Sequence, residues 1–295
     1  MIQLTAQRAV DLIRRHIEDE NKNAFTDAQI LDVMDEVLQR IFMDLHTSGD
    51  NLEVERYDFT LGAAEEVRPF EYHLKLPAYV AQVKSVEGFF GSRRAPQLWM
   101  AKPIQMRGFS GPVPTYHWSK ARPGTLVIQG RVNGWGSLGI WFIRRWGNLH
   151  YGSCAAGAAT NLLGIAASGV TGRVVERDGT YVGMDVEITS TLSAPELGML
   201  HEIRRITAYS TRTFTVEPVW PTLVAATDTY SLVVPLQPEF NSYFTYSCAM
   251  VLLTELGAAS QLASVSAQMV PHERQFIATL QERDSEAPVI FNNRM

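Results

Sequence analysis

The clearest pattern of apolar and polar positions runs from Thr26 to Leu45 and predicts a long amphipathic helix. Thr26 suits the N-cap position, and Gln29 three residues later can complete a capping box. Phe25 and Ile30 have the spacing of a hydrophobic staple. Because the apolar face is wide, other helices are needed to cover it. Its positions are Ile30, Leu31, Met34, Val37, Leu38, Ile41, Phe42 and Leu45.

Helical spacing of apolar residues also occurs at the two ends of the chain. Thr5 to Glu18 predicts a first helix, joined to the long one by a short polar loop as an antiparallel hairpin. Pro238 opens a third helix that ends at Gly257. A fourth helix is predicted from Ala258 to about Glu282, with Pro271 expected to kink or divide it.

The middle of the chain alternates between apolar and polar residues with a period of two, which predicts strands. Half-buried strands are expected at 52–55, 57–61, 72–76 and 83–87, and further strands at 125–129 and 138–143. From Gly172 onward, short strands separated by turn residues predict a small sandwich or barrel, at 172–175, 185–190, 202–209, 213–218 and 229–234. Cys154 to Val170, rich in Gly, Ala and Ser, predicts an irregular packed segment.

These elements predict an α+β fold, in which a helical bundle built from the N- and C-terminal helices carries a long β-rich, sandwich- or barrel-like insertion and an extended C-terminal arm. The predicted organisation is a helical hairpin at 1–48, an aromatic- and Gly-rich β insertion at 49–171, a small β module at 172–237, C-terminal helices at 238–284 and an arm at 285–295.

Composition narrows the classes of function. The 295 residues are 46% apolar with a net charge of -5, typical of a globular protein and unlike a dedicated nucleic-acid binder, which is usually basic. Cys154 and Cys248 are far apart and predict no disulfide framework. No signal peptide and no membrane span are predicted, because charges interrupt the N-terminus and no apolar run approaches the length of a span.

Motifs for catalysis, metal binding or cofactor binding do not occur in this sequence. The seven histidines are scattered without metal-ligand spacing. Cys154 lies among small residues, where packing is a more common role than nucleophilic chemistry. We therefore expect no enzyme activity, no catalytic or metal-binding residues and no cofactor.

Two features indicate interaction surfaces. The first is a group of tryptophans in the middle of the chain, which would suit an interface, a β core with many loops or a sugar-binding platform. The second is an apolar patch in the arm, suited to capture by a partner, although a disordered end would have the same composition. The candidate residues are Trp99, Trp118, Trp135, Trp141 and Trp146 for the interface, and Pro288, Val289, Ile290 and Phe291 for the arm.

Four stretches resemble the head-to-tail adaptor, or neck, proteins of tailed bacteriophages. They are Asp11–Arg15, Phe25–Leu31, Phe70–Val86 and Pro238–Leu253. Gly172 to Pro235 is similar to β modules of phage tail and neck proteins.

The resemblance implies a structural virion protein without enzymatic activity. Members form a ring below the portal, usually of about twelve copies, that extends the DNA channel and offers an attachment surface to the tail. The implied partners are other copies of the chain, the portal protein, tail, nozzle or tail-fibre proteins, and genomic DNA that passes through the lumen. The arm at 285–295 would dock on the portal. The alternative is a receptor- or carbohydrate-binding tail component that uses the Trp-rich region.

Overall fold

A computed structural model describes residues 3–47, 54–60, 65–68, 71–90, 93–100, 115–118, 124–130, 136–155, 159–166, 173–175, 177–191 and 200–285. The protein is mixed α and β, with 35% helix and 34% strand. Its contacts divide the chain into two compact units. One contains residues 1–51 and 146–295, and the other contains residues 52–145.

Four helices belong to the first unit, and local sequence signals explain where they begin and end. They are α1 (Ala6–His16), α2 (Asp27–Thr47), α3 (Asn241–Leu256) and α4 (Ala259–Ser285). The Thr5 hydroxyl accepts the Arg8 N–H at 3.3 Å at the start of α1. The capping box of α2 is formed, because Gln29 accepts the Thr26 N–H at 2.8 Å and Thr26 accepts the Gln29 N–H at 3.3 Å.

Gly257 ends α3 in the left-handed conformation (φ 67°), which glycine adopts without a steric penalty. The helix α4 then continues through Pro271 as one element, so of the two predicted effects, a kink or a division, the division is wrong. Pro271 is exposed there, which leaves the carbonyl that loses its intrahelical donor accessible to water.

The helices from the two ends of the chain share one hydrophobic core. Both α1 and α2 pack against α3. Ile13 of α1, Met34 of α2, and Phe244 and Leu252 of α3 are fully buried in this core.

The described strands of the unit at 52–145 form an eight-stranded sheet with the order β1-β8-β4-β5-β6-β7-β3-β2. The β5–β6 pair is parallel and the other neighbouring pairs are antiparallel. One face buries a core that includes Val86, Leu126, Ile128 and Ile140. The strands are β1 (Val54–Thr60), β2 (Glu65–Arg68), β3 (Glu71–Lys75), β4 (Val80–Phe90), β5 (Arg93–Met100), β6 (Thr115–Trp118), β7 (Thr125–Gln129) and β8 (Ser137–Arg144).

The other six strands close a barrel in the order β10-β13-β12-β11-β14-β9. Its interior is aromatic: the rings of Tyr181, Tyr209 and Phe214 contact one another, and the ring of Tyr230 contacts that of Phe214. The strands are β9 (Tyr151–Ala155), β10 (Leu162–Ile165), β11 (Asp185–Ser190), β12 (Ile203–Ser210), β13 (Thr213–Glu217) and β14 (Thr229–Leu232).

Two sequence predictions in this region are wrong. Cys154 to Val170 is not irregular throughout, because β9 and β10 occupy part of it. Its small residues are needed for close packing, since a Cβ at Gly164 would lie 3.0 Å from the Cβ of Ala155. Residues 173–175, predicted as strand, lie outside the strands.

The division between the units also differs from the predicted boundary between residues 171 and 172. The barrel belongs to the same compact unit as the helices, and its residues join their core. The N-terminal segment is attached to the barrel, because Val234 N–H donates to the Leu4 carbonyl at 2.8 Å and Thr5 bridges to Val233.

Candidate functional site

The loop between α1 and α2 is organised around a buried carboxylate, Asp19. Its Oδ1 accepts the N–H groups of Asn23 (2.8 Å) and Ala24 (3.0 Å), and its Oδ2 accepts the N–H of Phe25 (3.1 Å). The Arg14 guanidinium donates to the same Oδ2 at 2.8 Å. Burial acts to raise the pKa of Asp19, but these hydrogen bonds and Arg14 outweigh it and hold the pKa below its usual value.

Arg14 extends this network to the barrel. It donates to Asp27 Oδ1 at 2.5 Å, and Tyr151 on β9 donates to Asp27 Oδ2 at 2.7 Å. Arg14 is only 3% exposed, so this guanidinium is a buried part of the network. The network fixes the hairpin turn and its position on the barrel.

A second carboxylate, Asp35 in the middle of α2, contacts residues that lie just before β9 and between β10 and β11. It accepts the Leu149 N–H at 2.9 Å and pairs with Arg173, which also contacts Asp32 at 2.9 Å. Burial raises the pKa of Asp35 to about 6, although the hydrogen bond and the arginine oppose this. Asp35 and its arginine partner form a structural ion pair, and no group of metal-ligating side chains accompanies it among the described residues.

His150 is enclosed by the aromatic interior of the barrel. It is 0% exposed, and its Nδ1 lies 2.9 Å from the Tyr230 hydroxyl. Burial lowers its pKa to about 3, and the charge of Arg173 acts in the same direction. In the neutral imidazole, Nδ1 accepts a hydrogen bond from the Tyr230 hydroxyl when the ring proton is on Nε2, and donates one when it is on Nδ1. Without access to solvent, His150 serves packing and not proton transfer.

Cys154, considered above as a nucleophile, is 1% exposed. Burial raises the pKa of its thiol to about 12, with a smaller effect from Asp228. A protonated thiol without access to solvent is unreactive. The described residues contain no group of three or more His, Cys, Asp or Glu side chains arranged to hold a metal ion.

The surface best suited to a partner lies on the outer side of the helices. A groove of about 400 Å³ runs over α3 between α2 and α4. We call it the α3 groove. Its apolar lining residues are Val37, Ile41, Met250, Val251 and Met269, and Arg40, Asp44, Tyr243, Ser247, Thr254 and Glu255 complete it.

The helix α4 is attached along one side only. Tyr243 stacks on Phe276 with ring centroids 4.5 Å apart, and Tyr246 stacks on His272 at 5.5 Å. Of the described side chains of α4, Val265 and Phe276 alone are buried. Val270 and Ile277 are 36% and 44% exposed. A helix of 27 residues, about 40 Å long by its rise per residue, thus keeps an apolar strip in solvent.

No protein-family model matches this chain, and no curated protein matches it in sequence. Its function must therefore be inferred from its residues and their geometry.

The structure places the candidate tryptophans in different surroundings. Trp99 lies on β5 and Trp118 on β6, and their side chains are outside the described part of the structure, as is the whole of Trp135. Trp141 is partly buried on β8 of the sheet unit. Trp146 belongs to the other unit, where it packs on the helical core with its ring 5.9 Å from that of Phe42.

The arm residues Pro288, Val289, Ile290 and Phe291 also lie outside the described residues. The α3 groove and the role of Asp19 were not anticipated from the sequence. The sequence did contain one signal for the exposed face of α4, namely that no charged side chain occurs between Glu255 and His272. Among the described helices, none combines the length and apolar character required to cross a membrane.

Proposed function

We propose that this chain is a structural virion protein, a head-to-tail adaptor that forms a ring below the portal of a tailed bacteriophage. In this proposal the helices from the two ends form a bundle and the long β-rich region is an insertion between them. The ring extends the DNA channel, and the chain performs no covalent chemistry.

The observation that best supports this proposal is the shared core of the terminal helices. Ile13 and Met34, close to the N-terminus, are buried in the same core as Phe244 and Leu252. The resemblance noted above implies this arrangement, in which distant ends of the chain meet and the middle is left to vary. The partners proposed are further copies of the chain, the portal, and tail, nozzle or tail-fibre proteins, with the neck of the virion as the location.

Genomic DNA would pass through the lumen without sequence-specific binding. The net charge of -5 is compatible with that role, because a lumen of acidic or mixed charge offers few phosphate clamps to moving DNA. The arm at 285–295, with its apolar patch, is proposed to dock on the portal.

Native mass spectrometry of the purified chain, alone and with phage portal, tests the proposal. We expect a closed ring, formed alone or only when portal is present. Deleting residues 286–295 should remove portal attachment and leave the circular dichroism spectrum unchanged. A chain that stays monomeric in both conditions would contradict the adaptor function.

A second candidate, binding of a carbohydrate or receptor, is favoured by a cluster on the sheet unit. Arg56 lies over the Phe89 ring at 4.7 Å and over the Trp141 ring at 5.9 Å, and Asp58 holds the guanidinium at 2.7 Å. An aromatic surface beside a hydrogen-bonding cation and a carboxylate suits a sugar ring. Glycan-array binding that is lost in Trp141→Ala, with folding preserved, would support this candidate, and an array with no binding would remove it.

A further inference from the structure

We propose that neighbouring copies of this chain join through two separate surfaces of the unit that contains the helices. The exposed strip of α4 on one copy lies in the α3 groove of the next. We define the α4 strip as Ala263, Ala267, Val270, Arg274 and Ile277. The inference rests on the proposed function and identifies the contact by which the ring would form.

The α4 strip has the spacing of a helix face that packs against other helices. Its members follow one another at i, i+4, i+7, i+11 and i+14, and all five are exposed. An exposed helix surface normally carries charges, and here Arg274 is the only charged member. A helix face that exposes apolar side chains and carries a single charged residue, Arg274, indicates a contact surface.

The α3 groove has the shape and lining to receive a helix. Its floor is α3 and its walls are α2 and α4, so an added helix would sit where a ridge-into-groove neighbour sits in a bundle. Groove and strip are thus both apolar and both open.

Charge complements this fit. Asp44 interacts electrostatically with Tyr243 near the start of α3, and Glu255 lies at the other end of the same helix. Acidic side chains therefore stand towards both ends of the α3 groove. Arg40, the cation of the groove, already pairs with Glu36 at 3.1 Å. Arg274 of the α4 strip would bring the opposite charge to these acidic side chains.

We propose a second copy as the occupant because the α4 strip of one chain cannot lie in the α3 groove of the same chain. Met269 of α4 forms a wall of the groove, and the α4 strip is centred roughly 120° further around the same helix, at 100° per residue. The two surfaces therefore do not overlap and cannot meet within one molecule. A contact between different surfaces is heterologous, and repeating it generates a ring if the rotation closes.

Two variants block the two surfaces separately. Val270→Glu with Ile277→Glu places carboxylates on the α4 strip, at exposed positions where folding is little affected. Ser247→Trp fills the α3 groove from its floor. Each variant alone should be monomeric in native mass spectrometry, with the dissociation constant of assembly raised at least about 30-fold, as expected for a central interface residue.

The decisive measurement mixes the two variants. One retains an intact groove and the other an intact strip, so the mixture should form a heterodimer and nothing larger. Where the wild type assembles only with portal, the measurement is made in its presence. The control Ser264→Glu with Gln275→Glu adds the same charge to exposed positions of α4 outside the strip, and should assemble like the wild type.

The outcomes separate this inference from the proposed function. A wild-type ring that persists in both blocking variants overturns the interface and leaves the adaptor function standing. If Ser247→Trp loses assembly while the double variant of the α4 strip still assembles, the groove binds a surface other than the strip. That result also overturns the interface. A wild-type chain that remains monomeric with and without portal overturns both.

Discussion

The buried carboxylate of Asp19 allows a sharp test of how the helical hairpin is held. In Asp19→Asn one oxygen remains for the N–H groups of Asn23 and Ala24. The new amide group takes the place of Oδ2, where it faces two donors, the Phe25 N–H at 3.1 Å and Arg14 Nη1 at 2.8 Å. Two favourable hydrogen bonds to a charged acceptor thereby become donor–donor contacts.

The expected loss of stability follows from those two contacts. A hydrogen bond to a charged group contributes about 1.5–3 kcal/mol, and breaking a buried ion pair costs about 3–5 kcal/mol. Because Arg14 keeps Asp27 as a partner at 2.5 Å, we take the lower end of the range for breaking a buried ion pair. We expect a loss of about 3 kcal/mol, measured by urea denaturation followed by far-ultraviolet circular dichroism.

The pH dependence supplies an independent check. The pKa of Asp19 is held below its usual value in the folded chain, so its stabilisation is present at neutral pH and is lost as the pH falls through the folded pKa. The difference between wild type and Asp19→Asn should therefore shrink in acid. Glu20→Gln, at an exposed position of the same loop, changes the net charge equally and should have little effect. A loss below about 1 kcal/mol in Asp19→Asn would refute the role assigned to the carboxylate.

Two further predictions concern the sheet and the barrel. Gly139→Ala places a Cβ 2.9 Å from a ring carbon of Phe89 and should destabilise the sheet unit by about 1–3 kcal/mol in urea denaturation. The control Gly136→Ala, whose added Cβ has its nearest neighbour 4.0 Å away, should have little steric effect. Equal stability of the two variants would contradict this prediction. His150→Asn keeps an acceptor for the Tyr230 hydroxyl but cannot titrate. Because burial lowers the pKa of His150 to about 3, the wild type should lose stability as the pH falls below 6.5, and denaturation curves of the variant should show a weaker loss. An unchanged pH profile would mean that the histidine does not contribute to it.

Local sequence signals predicted the helices well because their determinants lie within a few residues. The capping box of α2 joins Thr26 to Gln29, and both of its backbone hydrogen bonds are formed. The apolar spacing of the same helix matches the side chains that are buried, from Ile30 to Leu45. The proline in α4 was the exception, because an exposed helix tolerates the lost hydrogen bond.

Strands were harder to predict where their partners are distant in sequence. Residues 151–153 of β9 pair with 229–231 of β14, and the small residues of β9 carry no alternating apolar signal. The strands β2, β5 and β6 were missed, and β5 and β6 lie in a stretch dense in glycine and proline. The closure of the barrel, and its union with the helices in one core, depend on contacts that no local window contains.

The sequence by itself determined the amphipathic helices, the change to strand periodicity in the middle of the chain and the absence of charged side chains between Glu255 and His272. Each of these depends on neighbouring side chains and on the period of the backbone. The tertiary structure alone decided that Arg14 is buried, that Asp19 accepts hydrogen bonds from three backbone N–H groups, and that α2, α3 and α4 form a groove. Burial and hydrogen-bond partners are properties of the packed chain, because they depend on which distant segments exclude water from a side chain.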